Sequence, residues 1–170
     1  GLIKKTSLEA YSRPRQNGIN AITINEGDTL LDVKMTNGNN DIILAIRSGR
    51  AIRFNENTVR SVGRVSMGVR GISLNSDNDK VVGLVCISDP STNLLVVSEN
   101  GFGKRSELDD YRITNRGGKG VKTLNITDKT GEVVTIKNVT DDDELMIITK
   151  NGITIRMEIA TLRIMGRATQ

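Results

Sequence analysis

Short apolar runs separated by polar turns are the main pattern of this chain. They come as three pairs, TLLDVKM (29–35) with DIILAIR (41–47), KVVGLVCI (80–87) with NLLVVSE (93–99), and EVVTIKN (132–138) with ELMIITK (144–150). Each run is rich in Val, Ile and Leu and is bounded by Asn, Asp, Gly or Ser, which is typical of β-strands. We find no convincing helix, so the pattern predicts an all-β chain. The five methionines lie among apolar positions and are expected in its core.

The second run of each pair is followed by a tight turn, at Ser48-Gly49, Asn100-Gly101 and Asn151-Gly152. Asn-Gly favours the positive φ angles of a type I′ turn, whose twist suits antiparallel strands. The sequence therefore predicts β-hairpins over 94–106 and 145–157. A further strand is expected after each basic loop, over GVRGISL (68–74) and GVKTLNI (120–126).

The chain repeats itself about every 50 residues. Segments 1–22, 49–72, 101–124 and 152–170 align, and three columns of cations fall in register: Lys5, Arg53, Arg105 and Arg156; Arg60, Arg112 and Arg163; Arg64, Arg116 and Arg167. Val59, Tyr111 and Leu162 share one apolar position. We place the repeats at about 1–48, 49–100, 101–151 and 152–170, the last incomplete. Four strands in each of about three and a half repeats predict a propeller-like array in one partial domain, 1–170.

Charge is segregated along the repeats. The basic segments 1–22, 50–70, 101–122 and 152–170 hold 18 Lys and Arg against 6 Asp and Glu, whereas the other 86 residues hold 6 against 14. If the repeats stack around an axis, equivalent positions meet at one edge and form a positive stripe. Such a stripe is complementary to duplex DNA, which carries one negative charge per ~1.7 Å.

The composition excludes several kinds of site. The chain has no histidine and one cysteine, which removes His-dependent catalysis, disulfides and the common zinc frameworks. We expect no catalytic residue, no metal site and no bound cofactor here, and a location in the cytoplasm. No apolar run is long enough to cross a bilayer, so no contact with a membrane is expected.

The expected partner is duplex DNA, held by its phosphates without readout of base sequence. The chain has only four aromatic residues, too few for the stacking that readers of single strands use. Glycines in the loop around Lys119 are expected to bring backbone N–H groups close to phosphate. The full set of predicted DNA-binding residues is Lys4, Lys5, Arg13, Arg15, Arg50, Arg53, Arg60, Arg64, Arg70, Lys104, Arg105, Arg112, Arg116, Gly117, Gly118, Lys119, Gly120, Lys122, Arg156, Arg163 and Arg167.

The repeats resemble those of the C-terminal domain of the DNA gyrase A protein, along essentially the whole chain. That family is a six-bladed β-pinwheel, so the resemblance implies that this chain is a fragment of such a domain. The family carries the heptapeptide Gln-Arg-Arg-Gly-Gly-Lys-Gly, and TNRGGKG (114–120) matches its last five positions. Thr114 and Asn115 depart from it, which suggests a degenerate copy of the motif in a later blade.

The resemblance also implies a function. In that family the basic rim wraps DNA and supports ATP-dependent negative supercoiling by a holoenzyme of two gyrase A and two gyrase B chains, which uses ATP and Mg. The catalytic tyrosine and the ATP site lie in other domains, so this chain alone is not expected to be an enzyme. The implied partners are DNA, the rest of gyrase A and gyrase B, in the bacterial cytoplasm at the nucleoid.

Two alternatives stay open at this point. The C-terminal domain of the topoisomerase IV protein that corresponds to gyrase A is built from similar but fewer blades. A propeller scaffold that binds an acidic protein would also carry a basic edge.

Overall fold

A computed structural model describes residues 1–169 and contains eleven strands and four 3-10 turns. The strands are β1 (Leu2–Ile3), β2 (Asp41–Ile46), β3 (Arg50–Asn55), β4 (Val69–Arg70), β5 (Val81–Ile87), β6 (Asn93–Ser98), β7 (Gly103–Glu107), β8 (Val121–Lys122), β9 (Val133–Val139), β10 (Glu144–Ile148) and β11 (Thr154–Glu158). The 3-10 turns occupy equivalent places in the repeats, at Leu8–Tyr11, Glu56–Thr58, Leu108–Asp110 and Ile159–Thr161. The described residues hold no α-helix, so the all-β prediction is confirmed.

Each sheet is a blade that combines strands from successive repeats. The first blade contains β1 and β4, the second has the order β5-β2-β3-β8, the third has β7-β6-β9, and the fourth contains β10 and β11; all these pairs are antiparallel. The two runs of a predicted pair therefore lie in different sheets. β5 returns to β2 of the second blade, whereas the next strand, β6, begins the third.

The hairpins are confirmed, but the predicted turn type is wrong. β6 pairs with β7, and β10 pairs with β11. Only glycines have positive φ among residues 1–169, for example Gly101 at 82°, so Asn100 cannot occupy the first position of a type I′ turn. Gly101 N–H donates to Ser98 O at 3.1 Å and Ser98 N–H donates to Phe102 O at 2.8 Å, the bonds of a three-residue loop closed by a left-handed glycine.

The predicted strand over 29–35 is absent, and the side chains of Leu30, Leu31, Val33 and Met35 are exposed. Its counterparts β5 and β9 each pair with a strand about 42 residues earlier, as in Ile43 with Val85. The structure describes no such pairing for residues 29–35.

Both faces of the central strands are buried, which explains their unbroken apolar sequence. Ile42, Leu44 and Ile46 of β2 pack into one core between the first and second blades, while Ile43 and Ala45 pack into another between the second and third. A third core surrounds Leu95, Val139 and Ile159. The methionines contribute little to these cores, because Met35, Met67, Met146 and Met165 are exposed; for these four the core prediction is wrong.

None of the helical turns in residues 1–169 has the length and apolar character of a bilayer-spanning helix.

Candidate nucleic-acid interface

The outer edge of each blade is covered by a basic loop from the next repeat. Neighbouring blades lie against each other at β5 and β9, and β3 runs along the opposite, outer edge of the second blade. Ile113 forms a parallel bridge with Arg53 of β3, and the loop returns at β8, which pairs with Arg50 and Ala51. The loop 112–122 thus caps the outer edge of the second blade.

The same arrangement recurs at the first and third blades. Ser61 bridges to Lys5 beyond β1, and β4 pairs with β1. Ile164 bridges to Arg105 of β7. We call the segments 60–70, 112–122 and 163–169 the rim loops. Their repetition along the outer edges explains why the sequence repeat carries cations, glycines and apolar residues together.

The rim loops contain nine Lys and Arg and no Asp or Glu. Among them, Arg60, Arg112 and Arg163 are exposed, and the structure gives their side chains no hydrogen bond or ion pair with any residue in 1–169. Arg70, Lys119 and Lys122 share these properties. Arg13 and Arg15, in the corresponding segment of the first repeat, are likewise exposed. These cations are available to an anionic partner.

A shallow recess of about 320 Å³ lies between the second rim loop and β3. Arg112, Lys119 and Gly118 line it together with Arg53, and its wall contains no carboxylate residue. The recess brings Arg112 and Lys119, two of the three free cations of this loop, to one place, which suits a phosphate group or a similar anion.

The column that contains Arg53 is not part of this free surface, because every member is paired with an acid. Arg53 donates to Asp41 Oδ2 from Nε at 3.1 Å and from Nη2 at 2.8 Å. Arg105 Nη1 lies 2.5 Å from Asp141 Oδ1, Lys5 Nζ lies 3.7 Å from Glu56 Oε2, and Arg156 pairs with Glu144. These four side chains already have acidic partners, so the unpaired cations of the rim loops are better placed for a contact with phosphate.

Three members of that column also bind the backbone of the following repeat. Arg53 Nη1 donates to Leu108 O at 2.9 Å, and Lys5 Nζ donates to Glu56 O at the equivalent position, also at 2.9 Å. Arg105 Nε donates to Leu162 O at 2.9 Å. These bonds tie one repeat to the 3-10 turn of the next or to the residue that follows it, which explains why a cation recurs there.

The column that contains Arg116 links the rim loops to one another. Arg116 donates to Thr58 O and Arg70 O, both at 2.9 Å, and Arg167 donates to the equivalent carbonyls of Asp110 and Lys122 at 2.9 and 2.7 Å. Arg64 donates to Asn20 O at 2.6 Å. These guanidinium groups are partly buried and mainly hold neighbouring loops in place.

Three further predicted cations bind carbonyls. Arg50 donates to Lys119 O and Gly120 O at 3.1 and 2.6 Å. Lys4 Nζ binds Ala21 O at 2.5 Å and Arg64 O. Lys104, which is only 2% exposed, donates to Gly166 O at 3.1 Å and Thr169 O at 2.7 Å. Burial, reinforced by the nearby Arg167 charge, lowers the pKa of Lys104 to about 8.

The glycines of the second rim loop differ in their surroundings, and only Gly120 is packed closely against β3. Gly117, at φ 85°, donates its N–H to Gly71 O at 2.6 Å. A Cβ atom on Gly120 would lie 2.2 Å from Ala51 O. Gly118 is exposed, and its carbonyl accepts a bond from Ser73 N–H at 2.9 Å.

Sequence reasoning did not identify which acids and carbonyls bind the strand cations. One signal was present: Asp41 and Glu144 each begin the first strand of a hairpin whose second strand carries the arginine. The carbonyl acceptors could not be found this way, because every residue has a carbonyl and only the fold selects which one is near.

The family model of the DNA gyrase C-terminal domain, described as a beta-propeller, matches residues 1–37, 41–88, 92–140 and 143–170. The DNA gyrase A protein of Staphylococcus epidermidis is 44% identical over the whole chain, and the same identity is found for that of Staphylococcus aureus. The chain spans 19% of the length of these relatives.

Solved structures give the same result. A structure of the DNA gyrase A C-terminal domain is 27% identical, with a TM-score of 0.81, over 91% of this chain and 52% of that one. The C-terminal domain of DNA topoisomerase IV has a TM-score of 0.93 over 100% of this chain and 53% of that one, but at 24% identity it shows the fold alone. The β-pinwheel expectation is confirmed, and the chain belongs to the DNA gyrase C-terminal domain family.

Proposed function

We propose that this chain binds duplex DNA through the phosphates, along the outer edge of its blades. The observation that carries the proposal is the charge of the rim loops, nine Lys and Arg without a single Asp or Glu. A surface of one sign on successive blades attracts a polyanion over its whole length. Duplex DNA fits, because its phosphates are closely spaced and its counterions are released on binding.

The phosphate contacts are assigned to the exposed cations whose side chains have no internal partner. These are Arg60, Arg112 and Arg163, together with Arg70, Lys119, Lys122, Arg13 and Arg15. The cations that bind acids or carbonyls hold the rim loops in position. Contacts of this kind bind any sequence, because they do not reach base edges.

The larger role follows from the family. A duplex that follows rim loops on successive blades must curve around the domain, which is DNA wrapping. In the longer protein, wrapping would present DNA for strand passage and negative supercoiling, with ATP, Mg and the cleavage tyrosine held outside this chain. Its partners would be the rest of gyrase A and gyrase B in an A2B2 enzyme at the bacterial nucleoid. A topoisomerase IV enzyme would use the same surface.

The test is a titration of a labelled duplex over a series of salt concentrations. The chain should lose affinity steeply with salt. Arg112→Ala/Lys119→Ala should reduce the slope of log K against log salt by about one for each phosphate that is no longer neutralised, equally for unrelated DNA sequences. Lys80→Ala/Lys150→Ala is the matched control, because it removes the same charge from exposed positions outside the rim loops.

An equal fall in slope for both double variants would mean that net charge, not the rim, attracts DNA. A shallow slope for the unaltered chain, with tighter binding to an acidic protein, would favour the scaffold function instead.

A further inference from the structure

The rim loops carry exposed apolar side chains beside their cations. In the first loop Val65 and Met67 are 61% and 49% exposed, in the second Ile113 is 59% exposed, and in the third Ile164 is 48% exposed. Binding to phosphates requires none of these groups. Their recurrence in all three loops indicates a contact other than phosphate at the same edge.

The two isoleucines are held on fixed backbone next to free arginines. Ile113 follows Arg112, and its backbone is bridged to β3; Ile164 follows Arg163, and its backbone is bridged to β7. Each isoleucine thus follows in the chain a cation that is available to phosphate. In duplex DNA, two rows of phosphates border the minor groove, and proteins place apolar side chains in that groove.

The charge of the loops favours DNA over a protein as the occupant. Another exposed apolar group lies on the fourth blade, at Ile148, Ile153 and Ile155 of the β10–β11 hairpin. That group lies outside the rim loops, on a hairpin that also carries Glu144 and Glu158, so it does not sit in a surface of one positive sign. The apolar residues of the rim lie in loops that hold nine cations and no carboxylate residue, which disfavours burial against an ordinary protein surface.

We propose that Ile113 and Ile164, with Val65 and Met67 in the first loop, pack against the sugar walls of the minor groove where it faces the domain. The proposal rests on the proposed function and adds to it a contact that determines which side of the duplex faces the protein. A duplex that curves around a protein narrows its minor groove on the inner side. A·T-rich segments, whose minor groove is already narrow, should therefore lie opposite the isoleucines.

The test compares Ile113→Ser/Ile164→Ser with the unaltered chain. Serine is a conservative choice, because Ser61 occupies the equivalent bridged position in the preceding repeat. Ile153→Ser is the control, since Ile153 is 63% exposed at a hairpin turn outside the rim loops. The readouts are hydroxyl-radical cleavage, which reports the minor groove, and energy transfer between dyes at the ends of a short duplex, which reports its curvature.

The serine variant should bind about tenfold more weakly, the value expected for loss of partial burial of two isoleucines. Its salt slope should be unchanged, its minor-groove protection weaker and its end-to-end energy transfer lower. Ser61→Ile should strengthen the protection, and Ile153→Ser should change nothing.

Protection and energy transfer equal to those of the unaltered chain would overturn this inference while leaving the proposed function intact. A lower salt slope in the serine variant would also overturn it, because the isoleucines would then act through the phosphate contacts. Failure of the proposed function is separate, since the unaltered chain would then show no salt-dependent binding to DNA.

Discussion

Replacing Arg53 by methionine should destabilise the fold strongly without removing a contact to DNA. The Arg53 side chain is 9% exposed, and its guanidinium group makes two bonds to Asp41, whose side chain is 16% exposed. It makes a third bond to Leu108 O of the next repeat. Methionine has a similar length and fills the space, but it leaves the Asp41 carboxylate without its counterion.

The expected loss in the free energy of unfolding is about 3–5 kcal/mol, the usual cost of removing one partner of a buried ion pair. Arg156→Met is the matched control from the same sequence column. Arg156 also pairs with an acid on the neighbouring strand, Glu144, but the two side chains are 67% and 46% exposed. Exposed pairs contribute about 0–1 kcal/mol, so this variant should be nearly as stable as the parent.

Urea unfolding followed by circular dichroism measures both losses. At temperatures where Arg53→Met is folded, its salt slope for DNA binding should equal that of the parent. Equal small losses of stability in the two variants would refute the reasoning, because burial would then not distinguish the two pairs. A reduced salt slope for Arg53→Met would mean that Arg53 does contact a phosphate of the DNA.

Three further outcomes are expected. Gly120→Ala should lower the free energy of unfolding by about 2–4 kcal/mol, because the residue has a φ of 70° and its Cβ would clash with Ala51 O. Gly101→Ala, at a φ of 82° but with no atom near the added Cβ, should lower it by only about 1 kcal/mol. Urea unfolding measures both. The pKa of Lys104 is about 8 in the folded chain against an ordinary 10.5, so the unfolded chain keeps this proton to higher pH. The free energy of unfolding should therefore rise between about pH 8 and 10.5. Lys104→Met should lack that rise when thermal unfolding is measured over a series of pH values. Burial alone would raise the pKa of Glu56, but hydrogen bonds from Asn40 N–H and other donors hold it below its usual 4.5. The free energy of unfolding should therefore fall as the pH drops below about 4.5. The fall should be smaller in Glu56→Gln in the same pH series.

Much of the fold could be predicted from local sequence. Alternation of apolar runs and glycine turns identified the hairpins, because strand and turn preferences act over a few residues. The 29–35 run shows the limit of this reasoning. It has the composition of a strand but no partner strand within residues 1–169, and a strand exists only when its backbone groups are paired.

The candidate interface was predicted less well. Alignment of the repeats found the cations, but it could not separate Arg112, which is free, from Arg53 and Arg116, which are bonded inside the molecule. An arginine has the same sequence signature in either role. Its role depends on whether an acid or a carbonyl lies within hydrogen-bonding distance, and those groups come from residues 12 to about 60 positions away.

The sequence by itself determined the repeat, the all-β architecture and the excess of positive charge in the loops, since each is a property of spacing and composition. Only the tertiary structure decided which strands share a sheet, because β5 and β9 pair with strands of the preceding repeat. It also decided which cations face solvent. Hydrogen bonding and desolvation depend on distances of a few ångströms between groups far apart in the chain, and no local pattern encodes those distances.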